Sequence, residues 1–320
     1  MKELKDYIGV KMSEVLSLME KRLSSDNSLL LECNKRVLGS GGKRIRPLLT
    51  LLFAEAAGGS NEDTVYFAAA TELIHNATLL HDDVADESPL RRGEPTVSSL
   101  LGPRPSVLLG DFWLANGLCL IVDAQKNSSR VMKLFSRTLC DLAEGEMLQL
   151  QMARTGATTE QEYFDIIFDK TASLFEVSAL AGAISAGASS AQEESAACFA
   201  RYLGLAFQIQ DDILDYQGDE ALGKPRGQDL REKKITLPLL MAFKACPSRE
   251  KEIREKLLEG GEENIACIMD YVSANEGCRM AHDRMMGLTF DAMIHLESFP
   301  DSDVKGYLIK ILSFVGQRNS

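Results

Sequence analysis

The chain has 320 residues, 45% of them hydrophobic and 26% charged, a balance that excludes disordered, collagen-like and disulfide-framework proteins. Its 35 Lys and Arg residues against 47 Asp and Glu residues leave a net charge of -12, which excludes a general nucleic-acid binder. An anionic ligand must therefore be met by local clusters of cations or by bound metal.

Apolar residues recur at intervals of three and four along the chain, and no segment alternates with the period of two that predicts a strand. No proline lies between Pro105 and Pro225, a stretch rich in Ala, Leu, Glu and Gln that favours long helices. The sequence therefore predicts an all-α fold, a single-domain helical bundle over residues 1–320 without a linker. In chain order, the predicted helices span 3–22, 27–38, 44–57, 61–84, 106–124, 128–153, 160–187, 191–216, 229–245, 249–258, 262–273, 276–297 and 302–317.

The seven cysteines are scattered and form no C-x-x-C pair, so the sequence predicts free thiols and a cytoplasmic protein. The first residues, MKELKDYIGVKMSEVL, carry acidic side chains and match neither a signal peptide nor a transit peptide. No run of about 18 apolar residues is found, so no membrane-spanning segment is expected.

Two aspartate-rich segments, HDDVADES at 81–88 and QDDILDYQ at 210–217, both carry D-D-x-x-D at the end of an apolar helix. Positions i and i+4 of a helix share a face, so the first and third aspartates project together, whereas the second turns about 100° away. Carboxylates crowded in this way repel one another without a cation, and hard oxygen ligands favour Mg²⁺. The predicted metal ligands are Asp82, Asp86, Asp211 and Asp215, with Asp83 and Asp212 as partial or outer ligands.

If only one such cluster were present, a helix end with acidic side chains exposed to solvent would be the alternative to a metal site. Two copies, each ending an apolar helix, favour the metal site instead. An EF-hand calcium loop is excluded, because Glu87 stands where that loop requires glycine.

Four stretches supply the opposite charge, and two of them closely follow the aspartate clusters. The stretch at 39–47 combines a flexible glycine run with the start of a helix, and this arrangement suits the binding of phosphate. It is not a P-loop, because Val37 stands where the P-loop motif requires glycine. A diphosphate bridged by Mg²⁺ to carboxylates and bound by Arg and Lys needs this combination of charges. The stretches are GSGGKRIRP (39–47), LRRGEPTV (90–97), DKTASLF (169–175) and GKPRGQDLREKKITLP (223–238).

In this order, the motifs resemble those of the trans-isoprenyl diphosphate synthases, the polyprenyl synthetases, from about residue 37 to about residue 240. The resemblance implies an all-α bundle around a deep central cavity, usually a homodimer. It also implies a Mg²⁺-dependent prenyltransferase, most similar to long-chain members such as octaprenyl diphosphate synthase. The segments that carry it are GGKRIRP, LLHDDVADESPLRRGEPT, GDFWLA, EGEMLQ, DKTASLF, AFQIQDDILD and GKPRGQDLREKKITLP.

The resemblance also implies how the site residues divide between two diphosphates. Two or three Mg²⁺ ions on Asp82, Asp86 and Asp211 bind the allylic diphosphate, expected to be farnesyl diphosphate. The side chains that assist there are Arg91, Lys170, Thr171, Gln208, Lys224 and Lys234. Isopentenyl diphosphate is bound by Lys43, Arg46, His75 and Arg92. The residues interpreted as catalytic are Asp82, Asp86, Arg91, Lys170 and Asp211.

Two positions depart from the family pattern. Ser98 follows R-R-G-E-P-T-V where the family often has His or Asn, and REKK at 231–234 replaces R-E-G-K. The second departure leaves open whether Lys233 or Lys234 faces the site. Two rival functions are a terpene cyclase, which needs no second diphosphate site, and a non-catalytic synthase subunit, which would be expected to lose aspartates.

Small residues, Ala77 and Thr78, stand five and four positions before Asp82. In the family, bulk at these places acts as the floor of the product channel, so the resemblance implies a channel that extends past Ile74 to a deeper stop such as Phe135. A long-chain product is therefore expected, with a farnesyl or geranylgeranyl product as the alternative. Transient membrane contact during product release is expected. The alternative for Ala77 is a small residue at a close contact between helices.

Overall fold

The computed structural model of the chain describes residues 2–218 and 226–316, which form two compact units. The single domain over residues 1–320 stays a prediction. Unit 1 consists of Met1–Ser136, Val177–Ala196 and Ser298–Lys305, and unit 2 of Arg137–Glu176, Ala197–Glu297 and Gly306–Ser320.

The described residues are almost entirely helical, which confirms the predicted fold class. In chain order the α-helices are α1 (Lys2–Arg22), α2 (Ser28–Gly39), α3 (Ile45–Ala56), α4 (Glu62–Ala85), α5 (Val97–Leu101), α6 (Pro103–Asp123), α7 (Ser128–Thr155), α8 (Glu160–Ile167), α9 (Ser173–Ser185), α10 (Ser190–Gln217), α11 (Gln228–Arg231), α12 (Leu237–Ala245), α13 (Glu250–Glu259), α14 (Glu262–Ala274), α15 (Gly277–Ile294) and α16 (Asp303–Gly316). Short 3₁₀ turns cover Pro247–Arg249 and His295–Ser298.

Two predicted helices are interrupted. The helix predicted over 160–187 contains a π-helical segment, Phe168–Ala172, between α8 and α9. The helix predicted over 229–245 is divided into α11 and α12, because Lys233 takes a left-handed conformation (φ 58°) and Pro238 lies in the first turn of α12. Both interruptions fall at stretches that carry candidate site residues.

A small hairpin that the sequence did not predict joins α4 to α5. Strand β1 (Leu90–Arg91) pairs antiparallel with β2 (Glu94–Pro95). The two residues between them, Arg92 and Gly93, both have positive φ, at 54° and 81°. This is the geometry of a type I′ turn, in which the chain reverses within two residues. The strands are too short to show any alternation.

In unit 1, helix α4 lies close against α6 because two glycines of α6 carry no side chain. A Cβ on Gly117 would lie 2.8 Å from Cγ1 of Ile74, and a Cβ on Gly110 would overlap the ring of His81. The close approach therefore fixes the last turns of α4, where the first aspartate cluster begins.

Helix α6 is long and apolar enough to cross a membrane, with a mean hydropathy of 1.5, and within the described ranges it is the one helix of this kind. Asp111 and Asn116 interrupt its apolar residues, so α6 does not contain an unbroken run of about 18 apolar residues. Leu109, Trp113 and Leu120 on α6 are at most 2% exposed. Core helices share this composition, and α6 packs one face against α4, although only 39% of its most apolar window is buried.

In unit 2, the middle of α10, the helix that carries the second aspartate cluster, approaches the π-helical segment closely. A Cβ on Gly204 would lie 2.6 Å from Cα of Ala172. This contact brings Thr171 of the π-helical segment within hydrogen-bond distance of Gln208 on α10. A π-helical turn inserts one residue into the helix and so shifts the side chains that face a neighbour.

Candidate active site

The first aspartate cluster ends helix α4. Asp83 is only 4% exposed, and its Oδ1 accepts a hydrogen bond from Nε of Arg91 at 2.5 Å. Burial raises the pKa of Asp83, and the Arg91 charge opposes this rise. Asp82 is partly exposed and Asp86 is exposed. The structure therefore directs the middle aspartate inward and the two outer ones toward solvent, which agrees with the predicted rotation of about 100° between them.

A cationic cluster in the same unit contains predicted residues for isopentenyl diphosphate. Arg46, in the first turn of α3, lies with Nη1 3.0 Å from Nε2 of His75. Since a guanidinium only donates, Nε2 of His75 accepts, and the ring proton is on Nδ1. Burial lowers the pKa of His75 well below its usual value, and the charges of Arg46, Arg92 and Arg91 lower it further. His75 is therefore neutral and presents an N–H at Nδ1.

Arg92 joins this cluster through the glycine loop before α3. Its Nη1 donates to the carbonyl oxygen of Gly41, and a Cβ on Gly42 would lie 2.7 Å from the same nitrogen. The loop can approach the guanidinium this closely only because Gly42 has no side chain. Lys43 follows in the same loop and is exposed. A cavity of about 390 Å³ lies beside this cluster, and its lining includes Arg36, Asn76, Asp83, Arg91, Arg92 and Glu94.

The second aspartate cluster ends helix α10 in unit 2. Asp212 is 3% exposed and accepts two hydrogen bonds, from the Tyr163 hydroxyl at 2.6 Å and from Nε2 of Gln208 at 2.9 Å. Burial raises the pKa of Asp212 well above its usual value, and the charge of Asp229 adds to the rise. Asp211 is partly exposed.

Asp215 has a different role from that of Asp86, its counterpart in the first cluster. Its Oδ1 accepts from the backbone N–H of Gln228 at 3.0 Å, and its Oδ2 accepts from that of Asp229 at 3.2 Å. Asp215 thus holds the start of α11. Asp229 is partly buried, and desolvation, together with the charge of Asp215, raises its pKa to about 7.

A cavity of about 110 Å³ in unit 2 contains the residues predicted to assist the allylic diphosphate. Thr171 Oγ1 donates to Oε1 of Gln208 at 2.8 Å, and Lys170 Nζ lies 2.5 Å from Oε2 of Glu146. The lining includes Lys170, Thr171, Gln208, Asp212, Asp229 and Lys234. Lys224 lies outside the described residues.

The question of Lys233 or Lys234 has a structural answer. Lys233 donates from Nζ to the carbonyl oxygen of Leu258 at 2.7 Å, away from the cavity. Lys234 lines the cavity and pairs with Glu232. The left-handed conformation of Lys233 separates the directions of these two neighbours.

Three residues of these clusters were not found from the sequence. Tyr163 is a single tyrosine in an apolar helix, which is ordinarily a packing residue, so no signal marked it. Asp229 lies within GKPRGQDLREKK and could have been found as the acid of that segment. Glu72 lies one turn before His75 on α4, where its carboxyl group is 5% exposed.

Residues 27–274 match the family model of the polyprenyl synthetases. The chain belongs to the polyprenyl synthetase family. The match extends beyond residues 37–240 on both sides, so the similarity to the family includes helices that carry none of the motifs. The predicted family, all-α fold and prenyltransferase class are confirmed.

Relatives of the chain in this family are similar over nearly their whole length. The chain is 37% identical over 320 residues to octaprenyl diphosphate synthase of Haemophilus influenzae, covering 99% of this chain and 97% of the relative. It is 39% identical over 292 residues to the geranyl-diphosphate-specific all-trans-nonaprenyl-diphosphate synthase of Rhodobacter capsulatus, covering 90% and 89%. A crystal structure of polyprenyl synthase from Caulobacter crescentus, complexed with calcium and isoprenyl diphosphate, superposes with a TM-score of 0.92 at 36% identity, covering 100% and 98%.

The donors in this polyprenyl synthetase fit Mg²⁺ bound together with a phosphate ligand. Across residues 2–218 and 226–316, no three His, Cys, Asp or Glu side chains are grouped to hold a metal ion alone. Mg²⁺ in proteins usually takes one or two carboxylates and completes its shell with water and substrate phosphates. Asp82 and Asp86, an i and i+4 pair with accessible carboxylates, match that requirement.

The residues predicted to set product length are buried on unit 1. Ile74, Ala77 and Phe135 have no exposed surface, and Thr78 donates from Oγ1 to the carbonyl oxygen of His75 at 2.8 Å. Ala77 lies between Ile74 and His81 on the stripe of α4 that faces α6. The channel role of Ala77 stays a prediction.

Proposed function

We propose that the protein is a trans-polyprenyl diphosphate synthase that joins isopentenyl diphosphate head to tail to an allylic diphosphate and makes a long-chain product. The observation that carries the proposal is the cluster of Arg46, neutral His75 and Arg92, which is distinct from the aspartate pair at the end of α4. Two anionic groups can be bound at once by such an arrangement. A terpene cyclase would need only the aspartates.

Asp82, Asp86 and Asp211 are the proposed Mg²⁺ ligands. When held there, Mg²⁺ would offset the negative charge of the allylic diphosphate and so favour departure of that group from the allylic carbon, which becomes a cation. Arg91 holds the buried Asp83, so the guanidinium is fixed beside the proposed ligands rather than free to rotate. Lys170, Thr171, Gln208 and Lys234 are proposed to assist the same diphosphate.

The second substrate supplies the carbon nucleophile. Lys43, Arg46, His75 and Arg92 hold its diphosphate, the guanidiniums through charge-assisted hydrogen bonds and His75 through Nδ1–H. The double bond of isopentenyl diphosphate attacks the allylic carbon, and a proton leaves with the departing pyrophosphate. The reaction needs no side chain as a nucleophile, whereas it needs apolar walls that exclude water from the cation.

We further propose farnesyl diphosphate as the allylic substrate, a cytoplasmic homodimer as the working form, and transient membrane contact during product release. All seven cysteines are free, as expected of a reducing compartment. Val107, Leu108 and Val122 on α6 are exposed apolar side chains, which supports a second copy against this helix.

Turnover by the purified protein tests the proposal. With Mg²⁺, isopentenyl diphosphate and farnesyl diphosphate, we expect a ladder of long-chain products, identified by chromatography of the dephosphorylated alcohols. A chelator should abolish it. Products that stop at geranylgeranyl length would indicate a short-chain synthase, as would turnover with geranyl diphosphate in place of farnesyl diphosphate that stops at farnesyl length. No consumption of isopentenyl diphosphate with either allylic substrate would indicate a cyclase or a non-catalytic subunit.

A further inference from the structure

Tyr163 is a buried residue with a hydroxyl group that the proposed chemistry does not use. It lies on α8 and is 2% exposed, and its hydroxyl donates to Oδ2 of Asp212 at 2.6 Å. The other carboxyl oxygen, Oδ1, accepts from Nε2 of Gln208 at 2.9 Å. Gln208 in turn accepts at Oε1 from Oγ1 of Thr171 at 2.8 Å. Three successive hydrogen bonds therefore connect Tyr163 to Thr171, which is proposed to assist the allylic diphosphate.

The π-helical segment allows Tyr163 and Thr171 to reach the same neighbouring helix. They lie eight residues apart in one continuous helical stretch, α8 followed by Phe168–Ala172. In a regular α-helix, eight residues turn a side chain by about 80° beyond two full turns, onto a different face. The residue inserted by the π-helical turn reduces this rotation, so both side chains contact α10. There they meet Asp212 and Gln208, which share a face of α10 because they stand four residues apart.

The carboxyl group of Asp212 is held at both of its oxygens, by Tyr163 from α8 and by Gln208 from its own helix. Because the NH₂ group of Gln208 is bound to Asp212, the amide oxygen faces Thr171. The amide therefore keeps this orientation only as long as Asp212 keeps its own. All four side chains line the cavity of unit 2 that also contains Lys170. Buried polar groups that are all paired in this way form a rigid network.

We propose that Tyr163 is a positioning residue for the allylic substrate. Its hydroxyl holds Asp212, and Asp212 in turn fixes Gln208 and Thr171, which are proposed to contact the allylic diphosphate. The inference rests on the proposed function. Tyr163 acts through these neighbours and does not itself bind the substrate. A group displaced by about 1 Å can cost about a hundredfold in rate, so loss of this support has a measurable effect.

The test is Tyr163→Phe, which removes only the hydroxyl group. With saturating isopentenyl diphosphate, we expect kcat/KM for farnesyl diphosphate to fall by about five- to hundredfold, the range for a buried polar group that loses its partner. The KM for isopentenyl diphosphate should remain that of the wild type, because its proposed ligands take no part in this network. A structural defect alone would not separate the two substrates. If Tyr163→Phe does not fold, Tyr163→Met carries the same expectation.

Tyr271→Phe is the matched control. Tyr271 is also 2% exposed and lies in the same unit, but its hydroxyl donates to backbone carbonyl oxygens, of Ala242 at 3.1 Å and of Cys246 at 2.8 Å. Tyr271→Phe therefore removes a buried hydroxyl group that has no contact with the network. It should show wild-type kinetics for both substrates, even where urea denaturation reports a lower stability. The same kinetic loss in both variants would overturn the inference.

The double variant of Tyr163→Phe with Gln208→Ala distinguishes action through Gln208 from direct contact with the substrate. If Tyr163 acts through Gln208, Tyr163→Phe should change kcat/KM by less than about twofold once Gln208 is replaced. Two effects that simply multiply would overturn the inference alone, as would wild-type kinetics of Tyr163→Phe or an equal rise of both KM values. A wild-type protein that consumes no isopentenyl diphosphate would overturn the proposed function and the inference with it.

Discussion

The first aspartate cluster ends α4 with Asp86 exposed, whereas the second ends α10 with both carboxylate oxygens of Asp215 bonded to the backbone of α11. The middle aspartates differ as well. Asp83 is held by the cation Arg91, and Asp212 is held by two neutral donors, Tyr163 and Gln208. Identical spacing therefore decides which way a carboxylate points, while the chain that follows the helix decides what it binds.

The two clusters also differ in how strongly they hold protons. Burial raises the pKa of both middle aspartates, but only Asp83 has a positive charge beside it to oppose the rise. The pKa of Asp229, next to the second cluster, is raised to about 7. Burial therefore favours the protonated form of Asp212 more than that of Asp83, whose carboxylate the Arg91 guanidinium stabilises.

The largest expected effect tests what the clusters share. Asp82→Ala or Asp211→Ala should lower turnover by about a hundredfold or more, because the lost carboxylate leaves diphosphate charge uncompensated. Steady-state kinetics with circular dichroism checks activity and fold together, and Asp26→Ala, at an exposed position, is the control. A variant that keeps more than about a tenth of the wild-type rate would contradict the ligand assignment.

The next prediction concerns the helix that leads into the first cluster. Ala77→Tyr should shorten the product to geranylgeranyl length without abolishing the first condensation, because a ring there blocks the channel and leaves both diphosphate sites intact. Chromatography of the dephosphorylated alcohols measures the ladder, and Ala77→Ser is the control. A destabilised protein with an unchanged ladder would mean that Ala77 packs against α6 and does not face the channel.

Substitution of Arg91 and of Arg92 tests whether the two neighbouring arginines serve different substrates. Arg92→Ala, like Lys43→Ala and Arg46→Ala, should raise the KM for isopentenyl diphosphate by about tenfold, the cost of one charge-assisted bond. Arg91→Ala, like Lys170→Ala, should act on the allylic substrate. Arg91→Ala also leaves Asp83 buried without its cation, so this variant should be less stable than the wild type. Arg92→Ala should not have this effect on stability. The same kinetic profile for both arginine variants would disprove the division.

The third aspartates are predicted to differ in stability. Asp215→Asn leaves one backbone N–H at the start of α11 without an acceptor, so the free energy of unfolding should fall by about 1–2 kcal/mol. Asp86→Asn should leave stability unchanged, because the Asp86 side chain is exposed. Urea denaturation of the two variants provides the measurement. Equal stability of both would indicate that Asp215 does not support α11.

The smallest expected effect lies beside Lys170. Burial, together with Asp141, Asp165 and Glu144, raises the pKa of Asp169 to about 6. The unfolded chain releases this proton near pH 4, so the folded state binds more protons between about pH 4 and about pH 6 and loses stability as pH rises through that window.

Asp169→Asn should remove this dependence of the free energy of unfolding on pH and make the protein more stable above about pH 6. The gain should be smaller than the full pKa shift of Asp169 implies, because the carboxyl group is partly exposed. Urea denaturation at about pH 4.5 and about pH 7.5 measures the difference. If the free energy of unfolding of the variant changes with pH as in the wild type, other groups cause the pH dependence.

The sequence by itself determined most of the helices, the paired aspartates and the rotation of Asp83 and Asp212 by about 100° from them, because these follow from a period of 3.6 residues and need no knowledge of distant contacts. It also predicted the cationic stretches at Lys43–Arg46 and Arg91–Arg92, since charge and glycine content are local properties. The family resemblance supplied the division of roles.

Only the tertiary structure decided what those side chains bind. The hairpin that turns Arg92 toward Gly41, the π-helical segment at Lys170 and Thr171 and the use of Asp215 to hold α11 were all beyond the sequence. Each depends on residues far apart in the chain. Hydrogen bonds and burial arise from contacts across space, and a helical period specifies direction without specifying the neighbour.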